Sequence, residues 1–200
     1  MIKNIIFDNG GVIIKYSSDT YLDYFNFSEK EKETLMKIFS TDEYVELSKG
    51  NITHQEFNDF AVKMFPQYHD DVLKILDSDY YKYLIPVYSK TIEFIKDLRN
   101  RGYKTYLLTD ILEDTIEYMK EEVDNFEQLF DGIVYSCRVG MTKKEDAIFE
   151  YILNKFSLKP EETLFLDDKL SNLKRAEKFG IKTYQFLNPD IDISKVEQLI

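Results

Sequence analysis

Asp8 ends the first apolar run of the chain, Ile2-Lys3-Asn4-Ile5-Ile6-Phe7, and Asn9-Gly10-Gly11 follow at once. The run reads as a strand inside a covered sheet. The two glycines let the chain turn sharply and let its backbone approach a ligand closely. A carboxylate on such a platform is fixed, unobstructed and next to bare peptide groups, which suits a nucleophile or a metal ligand. Three later apolar runs also stop at polar residues. Tyr103 to Leu108 ends at Thr109-Asp110, and Thr163 to Leu166 ends at Asp167-Asp168. Gly132 to Tyr135 ends at Ser136, and a short loop then carries Gly140 and Lys143. Ligands of open parallel sheets bind beyond the carboxyl ends of the strands, so these groups are expected to meet at one rim. Asp8, Asp167 and Asp168 with a lysine there describe a site for a hard cation and a phosphate. Mg²⁺ favours oxygen ligands and takes one or two carboxylates together with substrate oxygens. A hydroxyl and an ammonium can hold phosphoryl oxygens and offset charge as phosphorus is attacked.

The elements that position these groups alternate between strand and helix, which implies right-handed crossovers and a parallel sheet covered on both faces. Pro86 is expected to open a helix carrying Ile92, Ile95 and Leu98. Further helices are expected over about Glu113 to Val123, over Lys144 to Phe156, and along Leu173, Ala176 and Phe179 before a fifth strand at Lys182 to Leu187. One block breaks the alternation. From about Ser17 to Tyr83 the pattern is helical throughout. Ser28 with Glu31 and Thr53 with Glu56 form capping boxes inside it, and Lys49-Gly50-Asn51 marks a break between helices. The expected fold is therefore α/β, a Rossmann-like doubly wound parallel sheet with an inserted helical-bundle cap. The core comprises 1–14 and 84–200, and the cap comprises 15–83.

The bulk composition narrows the partners. The 200 residues carry 26 Lys and Arg against 37 Asp and Glu, a net charge of −11 with a pI near 4.8. Such a surface repels nucleic acid and anionic membranes, so neither is expected as a partner. A small phosphorylated substrate remains compatible, because a local lysine and a divalent cation reverse the sign within a pocket. Cys137 has no second cysteine to pair with, which fits a reducing cytoplasm. No apolar run approaches the ~20 residues needed to span a bilayer. The N-terminus carries no signal-peptide pattern.

Taken jointly, Phe7-Asp8-Asn9-Gly10-Gly11-Val12, Leu108-Thr109-Asp110, Ser136 with Gly140-Met141-Thr142-Lys143, and Leu166-Asp167-Asp168-Lys169-Leu170-Ser171-Asn172 resemble the haloacid dehalogenase superfamily. The likeness covers nearly the whole chain, and is strongest to the branch of small capped phosphatases that includes bacterial sugar-1-phosphate phosphatases. The resemblance implies that Asp8 attacks phosphorus and forms an aspartyl-phosphate that water then hydrolyses. It implies that Asn9, Gly10, Thr109, Asp110 and Lys143 surround the phosphate. It further implies that Mg²⁺ binds Asp8, the Gly10 carbonyl and Asp168, with Asp167 as a ligand directly or through water. Asn172 would orient the acidic pair or Lys143.

Three positions depart from that pattern. Most such phosphatases carry a second Asp two residues after the nucleophile, and here that position is Gly10. A positioned general acid is worth ~10²–10⁴ in rate, so its loss matters least for a good leaving group such as an anomeric sugar phosphate or an acyl phosphate. Asp110 stands where relatives often have Asn, and is a candidate to replace the missing acid. Lys144 stands where relatives usually have Pro, which leaves Lys143 and Lys144 as rivals for the phosphate; spacing from Gly140 favours Lys143. His54 and His69 read as surface or packing residues, and Cys137 as structural. Among Tyr16, Tyr21, Tyr24 and Tyr44, most read as core, with one or two facing the substrate. Two other functions compete. A metal-independent dehalogenase would make Gly10 harmless but leave Asp167-Asp168 without a purpose. A low-activity phospho-acceptor or ligand-binding pseudo-enzyme fits Gly10 and Asp110 but not the retained Asp8, Thr109, Lys143 and Asp168.

Overall fold

The computed structural model describes residues 1–77 and 85–200. The expected end of the helical block at Tyr83, and the division between 83 and 84, lie outside the described residues.

Five short strands form one parallel sheet: β1 (Asn4–Phe7), β2 (Lys104–Thr109), β3 (Gly132–Tyr135), β4 (Thr163–Asp167) and β5 (Lys182–Gln185), in the order β3-β2-β1-β4-β5. The chain first builds outward from β1 through β2 and β3, then returns to the other side of β1 with β4. The order therefore reverses between β1 and β4, the point at which doubly wound sheets bind ligands. Ile5, Ile6, Phe7, Leu107, Leu108, Leu164, Phe165 and Leu166 are buried, as continuous apolar runs covered on both faces require. One cluster of buried side chains, around Ile5, Phe7, Leu107 and Leu166, joins the insertion to one face. The other, around Ile6, Leu108, Phe149 and Phe165, fills the opposite face.

Between β1 and β2 the described residues form α1 (Ser18–Tyr21), α2 (Glu29–Leu35), α3 (Asp42–Ser48), α4 (His54–Met64), α5 (His69–Ile75) and then α6 (Ser89–Asn100). Both capping boxes are present: Ser28 with Glu31 starts α2, and Thr53 with Glu56 starts α4. Gly50 holds a left-handed φ of 75°, and a Cβ there would lie 2.3 Å from the carbonyl oxygen of Cys137. The loop between α3 and α4 thus sits directly on the main chain that follows β3.

The remaining helices are α7 (Glu113–Glu122), the single turn α8 (Ser136–Val139), α9 (Asp146–Lys155), α10 (Leu170–Glu177) and α11 (Pro189–Val196). Two sequence expectations are corrected here. Pro86 does not open α6, which starts at Ser89. Instead the Pro86 carbonyl accepts from Lys15 N–H at 2.9 Å, and Val87 bridges Ile14 in an antiparallel pair. This short pairing holds together the two chain segments flanking the insertion, and no local helical signal could report it. The second correction is α11, which the sequence reading passed over although Asn188 caps it and Pro189 occupies its first turn.

Candidate active site

Register alone brings the key carboxylates together. Phe7 pairs with Leu166 on β4 and with Leu107 on β2, so Asp8 stands beside Asp167 on one side and beside the end of β2 on the other. The Asp8 N–H donates to the Leu166 carbonyl at 2.9 Å, which prolongs the pairing one residue past the strand. Asp8, Asp167 and Asp168 each offer an oxygen within 4.8 Å of the others, and are the candidate metal cluster among the described residues.

Lys143 enters between them from the loop after α8. It is 2% exposed. Its Nζ lies 2.6 Å from Asp8 Oδ2 and 2.7 Å from Asp167 Oδ2. Lys144 is exposed, so of the two rivals Lys143 is the one the fold buries at the rim. The Lys143 backbone N–H donates to Asp110 Oδ1 at 2.8 Å, which ties this loop to the end of β2.

The acidic pair divides into two environments. Asp167 is fully buried and well supplied with donors: Lys143, the Lys169 N–H at 2.7 Å, and Asn172 Nδ2 at 3.0 and 3.1 Å. These lower its carboxyl below the usual range despite burial. Asp168 is only partly buried, yet its Oδ1 is shielded from solvent and has no hydrogen-bond partner. Gly11, at φ 73°, leaves room for it: a Cβ there would meet Asp168 Cγ at 2.7 Å. A buried oxygen without a donor costs free energy unless something else engages it. The all-oxygen donor set and this orphaned atom fit a hard divalent cation.

Burial pushes the Asp8 carboxyl up, and Lys143 opposes that push while Asp167 and Asp168 add to it. Lys143 is stabilised as the cation by Asp167, Asp8 and Asp110, which outweigh its own desolvation. Asp110 and Asp168 are likewise raised, chiefly by burial. Asp110 is exposed as a residue, while its carboxyl group lies among protein atoms that desolvate it and beside Lys143, which opposes the rise.

A cavity of about 60 Å³ opens over this rim, lined by Asn9, Gly10, Thr109 and Asp110 from the sheet side and by Tyr16, Tyr44 and Ser48 from the insertion. The Thr109 hydroxyl makes only a long 3.4 Å contact with the Asp110 carbonyl. Asn9 Oδ1 is buried and unpartnered. Ser136, at the end of β3, does not face this cavity's centre. Its hydroxyl accepts from Ile111 N–H at 2.9 Å and donates to the Ser48 carbonyl at 2.6 Å, so it fastens the insertion to the sheet. Lys49 adds an ion pair with Glu145 at 3.1 Å.

Sequence reasoning missed Ser48, which carried no signal beyond its place near a helix end. Of the four tyrosines, Tyr16 and Tyr44 line this cavity, Tyr21 is buried beside them, and Tyr24 is largely exposed. His54, read from the sequence as a surface or packing residue, is partly exposed and has a carboxylate neighbour. Its Nε2 lies 3.6 Å from Asp114 Oδ2, across from the insertion to α7. Cys137 has Glu113 as its neighbour, with Sγ 3.6 Å from the carboxylate, and burial and that charge raise its thiol pKa.

A parallel α/β sheet with clustered carboxylates and a buried lysine at its switch point defines a hydrolase-type site. Residues 2–180 match the haloacid dehalogenase-like hydrolases, and the chain belongs to that family. The chain is 26% identical over 192 residues to D-ribitol-5-phosphate phosphatase of Bacteroides thetaiotaomicron, covering 92% of each protein. It is 27% identical over 214 residues to mouse acyl-CoA dehydrogenase family member 10, covering 99% of this chain but 19% of that protein. It thus spans about a fifth of the length of that relative. Among solved structures, a haloacid dehalogenase family enzyme of Bacteroides thetaiotaomicron, crystallised as wild type with magnesium and inorganic phosphate, has a TM-score of 0.71 at 25% identity. The match covers 92% of this chain and 94% of that one. No helix among the described residues is long and apolar enough to cross a membrane.

Proposed function

We propose that the protein is a Mg²⁺-dependent phosphomonoesterase acting on a small phosphorylated metabolite, with Asp8 as nucleophile and residues 15–83 as the cap over the site. The observation that carries this reading is the orphaned Asp168 Oδ1, set beside Asp8 in an all-oxygen cluster. A metal-independent dehalogenase would leave that oxygen unused. A pseudo-enzyme would have no need of the cation at Lys143 held against the nucleophile. The relatives that are phosphatases, and the neighbour crystallised with magnesium and phosphate, support the same reading.

Asp8, Asp168 and the Gly10 carbonyl would hold the metal directly. Asp167 would support the metal from behind, since its own oxygens already serve Lys143, Lys169 and Asn172. Bound magnesium supplies positive charge to the phosphoryl oxygens and draws off charge during displacement. Thr109, Lys143 and the backbone around Asn9 and Gly10 orient the phosphoryl group. An Asp8 oxygen attacks phosphorus in line; the new O–P bond forms as the bond to the organic group breaks. The departing oxygen takes that electron pair and a proton. Water then adds to phosphorus, gives a proton to the carboxylate left when the departing oxygen was protonated, and displaces the Asp8 carboxylate.

Gly10 offers no proton donor. Asp110 lines the same cavity, and is the acid we assign to the departing oxygen. Considering that oxygen alone, a sugar 1-phosphate is preferred over a simple alkyl phosphate, because an anomeric oxygen departs more readily without full protonation.

Phosphate release is measured with sugar 1-phosphates, polyol phosphates, nucleotides and acyl phosphates, with Mg²⁺ or with EDTA. The expected result is release that needs Mg²⁺. Release of halide from 2-haloacids that ignores EDTA, with no phosphate release, would favour the dehalogenase.

A further inference from the structure

Beyond the phosphate pocket the insertion encloses a second cavity of about 60 Å³. That is several times the ~10–15 Å³ that admits one water. Among the described residues its walls are mostly apolar and aromatic, including Tyr21, Phe39, Tyr44, Leu47, Phe57 and Ile75. The rings interlock rather than stack loosely: Phe39 and Tyr44 meet edge-on at 5.4 Å, and Tyr44 and Phe57 lie tilted at 5.7 Å. Tyr16, Tyr44, Leu112 and Thr115 line both cavities, so the chamber adjoins the phosphate pocket. A molecule whose phosphate occupies the pocket therefore extends its organic part into the chamber.

Among the described residues the polar groups there are the hydroxyls of three tyrosines and Thr115, a histidine, an amide and two carboxylates, and apolar surface outweighs them. His54 and Asp114 are engaged with each other across the rim of the chamber. Asn58 Oδ1 is shielded from solvent, unpartnered, and on the chamber wall. A sugar would bring several hydroxyls into this space, and each one left unpaired is penalised. An aromatic ring matches the walls in polarity, and, since about 60 Å³ is less than the ~150 Å³ that holds benzene, it fits only where it spans the chamber and the adjoining pocket. Asp77 and Asp114 also line the chamber and disfavour an anionic group.

Resting on the phosphomonoesterase reading, we propose that this chamber binds the organic part of the substrate, and that this part is a compact apolar ring carrying at most one hydroxyl, as in an aryl phosphate. The hydroxyl would donate to Asn58. The leaving group agrees with Gly10: a phenol of acidity near that of tyrosine, pKa ~10, departs far more easily than an alkanol, so the missing acid costs least.

Steady-state phosphate release with Mg²⁺ tests this on four compounds: 4-ethylphenyl phosphate, O-phosphotyrosine, glucose 1-phosphate and acetyl phosphate. The first two leave as phenolates of similar acidity and differ in the ammonium and carboxylate that O-phosphotyrosine carries. Expected is a kcat/KM at least about tenfold higher for 4-ethylphenyl phosphate than for O-phosphotyrosine, carried by KM, as the cost of setting an ammonium and a carboxylate against mostly apolar walls implies. Asn58→Phe, which fills the chamber, should lower the first value about tenfold and leave acetyl phosphate within twofold. Leu47→Phe narrows the chamber from another helix and should act in the same sense if Asn58→Phe folds poorly. Equal values for the two phenolic esters, a higher value for glucose 1-phosphate, or equal loss for all substrates in a folded variant would overturn the chamber assignment while leaving the phosphatase intact. No release from any of the four, acetyl phosphate included, would overturn the phosphatase reading and this inference with it.

Discussion

The rim of the sheet and the aromatic chamber share four side chains, yet they are built on opposite principles. At the rim, charge is concentrated and almost every charged atom has a partner. Lys143 touches two carboxylates, and Asp167 is surrounded by donors. The positions follow from strand register, which fixes side chains to a fraction of a turn. In the chamber, charge is marginal and the shape follows from how rings from four separate helices and loops happen to pack. On the proposed function, chemistry that must place an oxygen beside phosphorus falls to the sheet. Selection of the organic group, which tolerates looser placement, would then fall to the insertion. Changes at the rim should act on turnover and on charge balance, whereas changes in the chamber should act on the choice of substrate.

The largest effect expected from this contrast is at Asp8. Asp8→Asn should reduce turnover by on the order of 10⁴ or more, as loss of a nucleophile does. It should also stabilise the metal-free protein. The folded carboxyl is raised above its unfolded value, so its contribution is fully present below the unfolded pKa and is lost as pH rises through the folded one. The gain in Tm from Asp8→Asn in EDTA should thus be greater at pH 9 than at pH 5. A constant gain would mean that Asp8 is not strained by its neighbours. Saturating Mg²⁺ at 100 times its Kd should raise wild-type stability by about 2.7 kcal/mol, and Asp8→Asn should respond less.

Next is Lys143→Met. Removing one partner of a buried ion pair leaves the others uncompensated, at a cost of about 3–5 kcal/mol. Urea unfolding should show that loss, whereas Lys144→Met, on the exposed neighbour, should stay within about 0.5 kcal/mol. If both variants behave alike, the rim is not organised around Lys143. Smaller again is Asp110→Asn. If Asp110 supplies the proton, activity in the wild type falls as pH rises through its raised pKa. The variant should lose that limb of the pH–rate profile, with kcat down by roughly tenfold, below the usual range for a general acid because the leaving group needs little help. An unchanged profile with undiminished turnover would exclude the role. The smallest effect belongs to Lys49→Ala, which removes an ion pair exposed on its Glu145 side, and should cost no more than about 1 kcal/mol. It should alter KM before kcat, because it fastens the insertion and touches no reacting atom.

What was legible in the sequence follows the same division. Apolar runs ending at Asp8, Thr109 and Asp167 reported the sheet, because burial on both faces imposes a continuous pattern. The capping boxes at Ser28 and Thr53 reported two helix starts, because capping is a contact within four residues. Lys143 could be separated from Lys144 only by loop position, and burial at the rim makes the difference plain. Asp167 and Asp168 looked equivalent in sequence; they differ because Asn172 and Lys169 reach one and not the other. Pro86 was misread because its partner, Lys15, lies on the far side of the insertion. The chamber was the least legible. Tyr16, Tyr44, Phe57 and Leu112 become neighbours only after separate segments pack, and no spacing rule joins them.

The glycine that rests on the carbonyl of Cys137 has one more consequence. Position 50 cannot carry even a methyl group without prising the insertion off the sheet, since backbone meets backbone there and neither can yield as a flexible side chain would. A mutation at this spot works like a doorstop: it contacts no reactant of the proposed reaction, but it sets how closely the loop after α3 can approach the main chain after β3. The fit between insertion and sheet thus hangs on a residue that an inspection of the carboxylate rim alone overlooks.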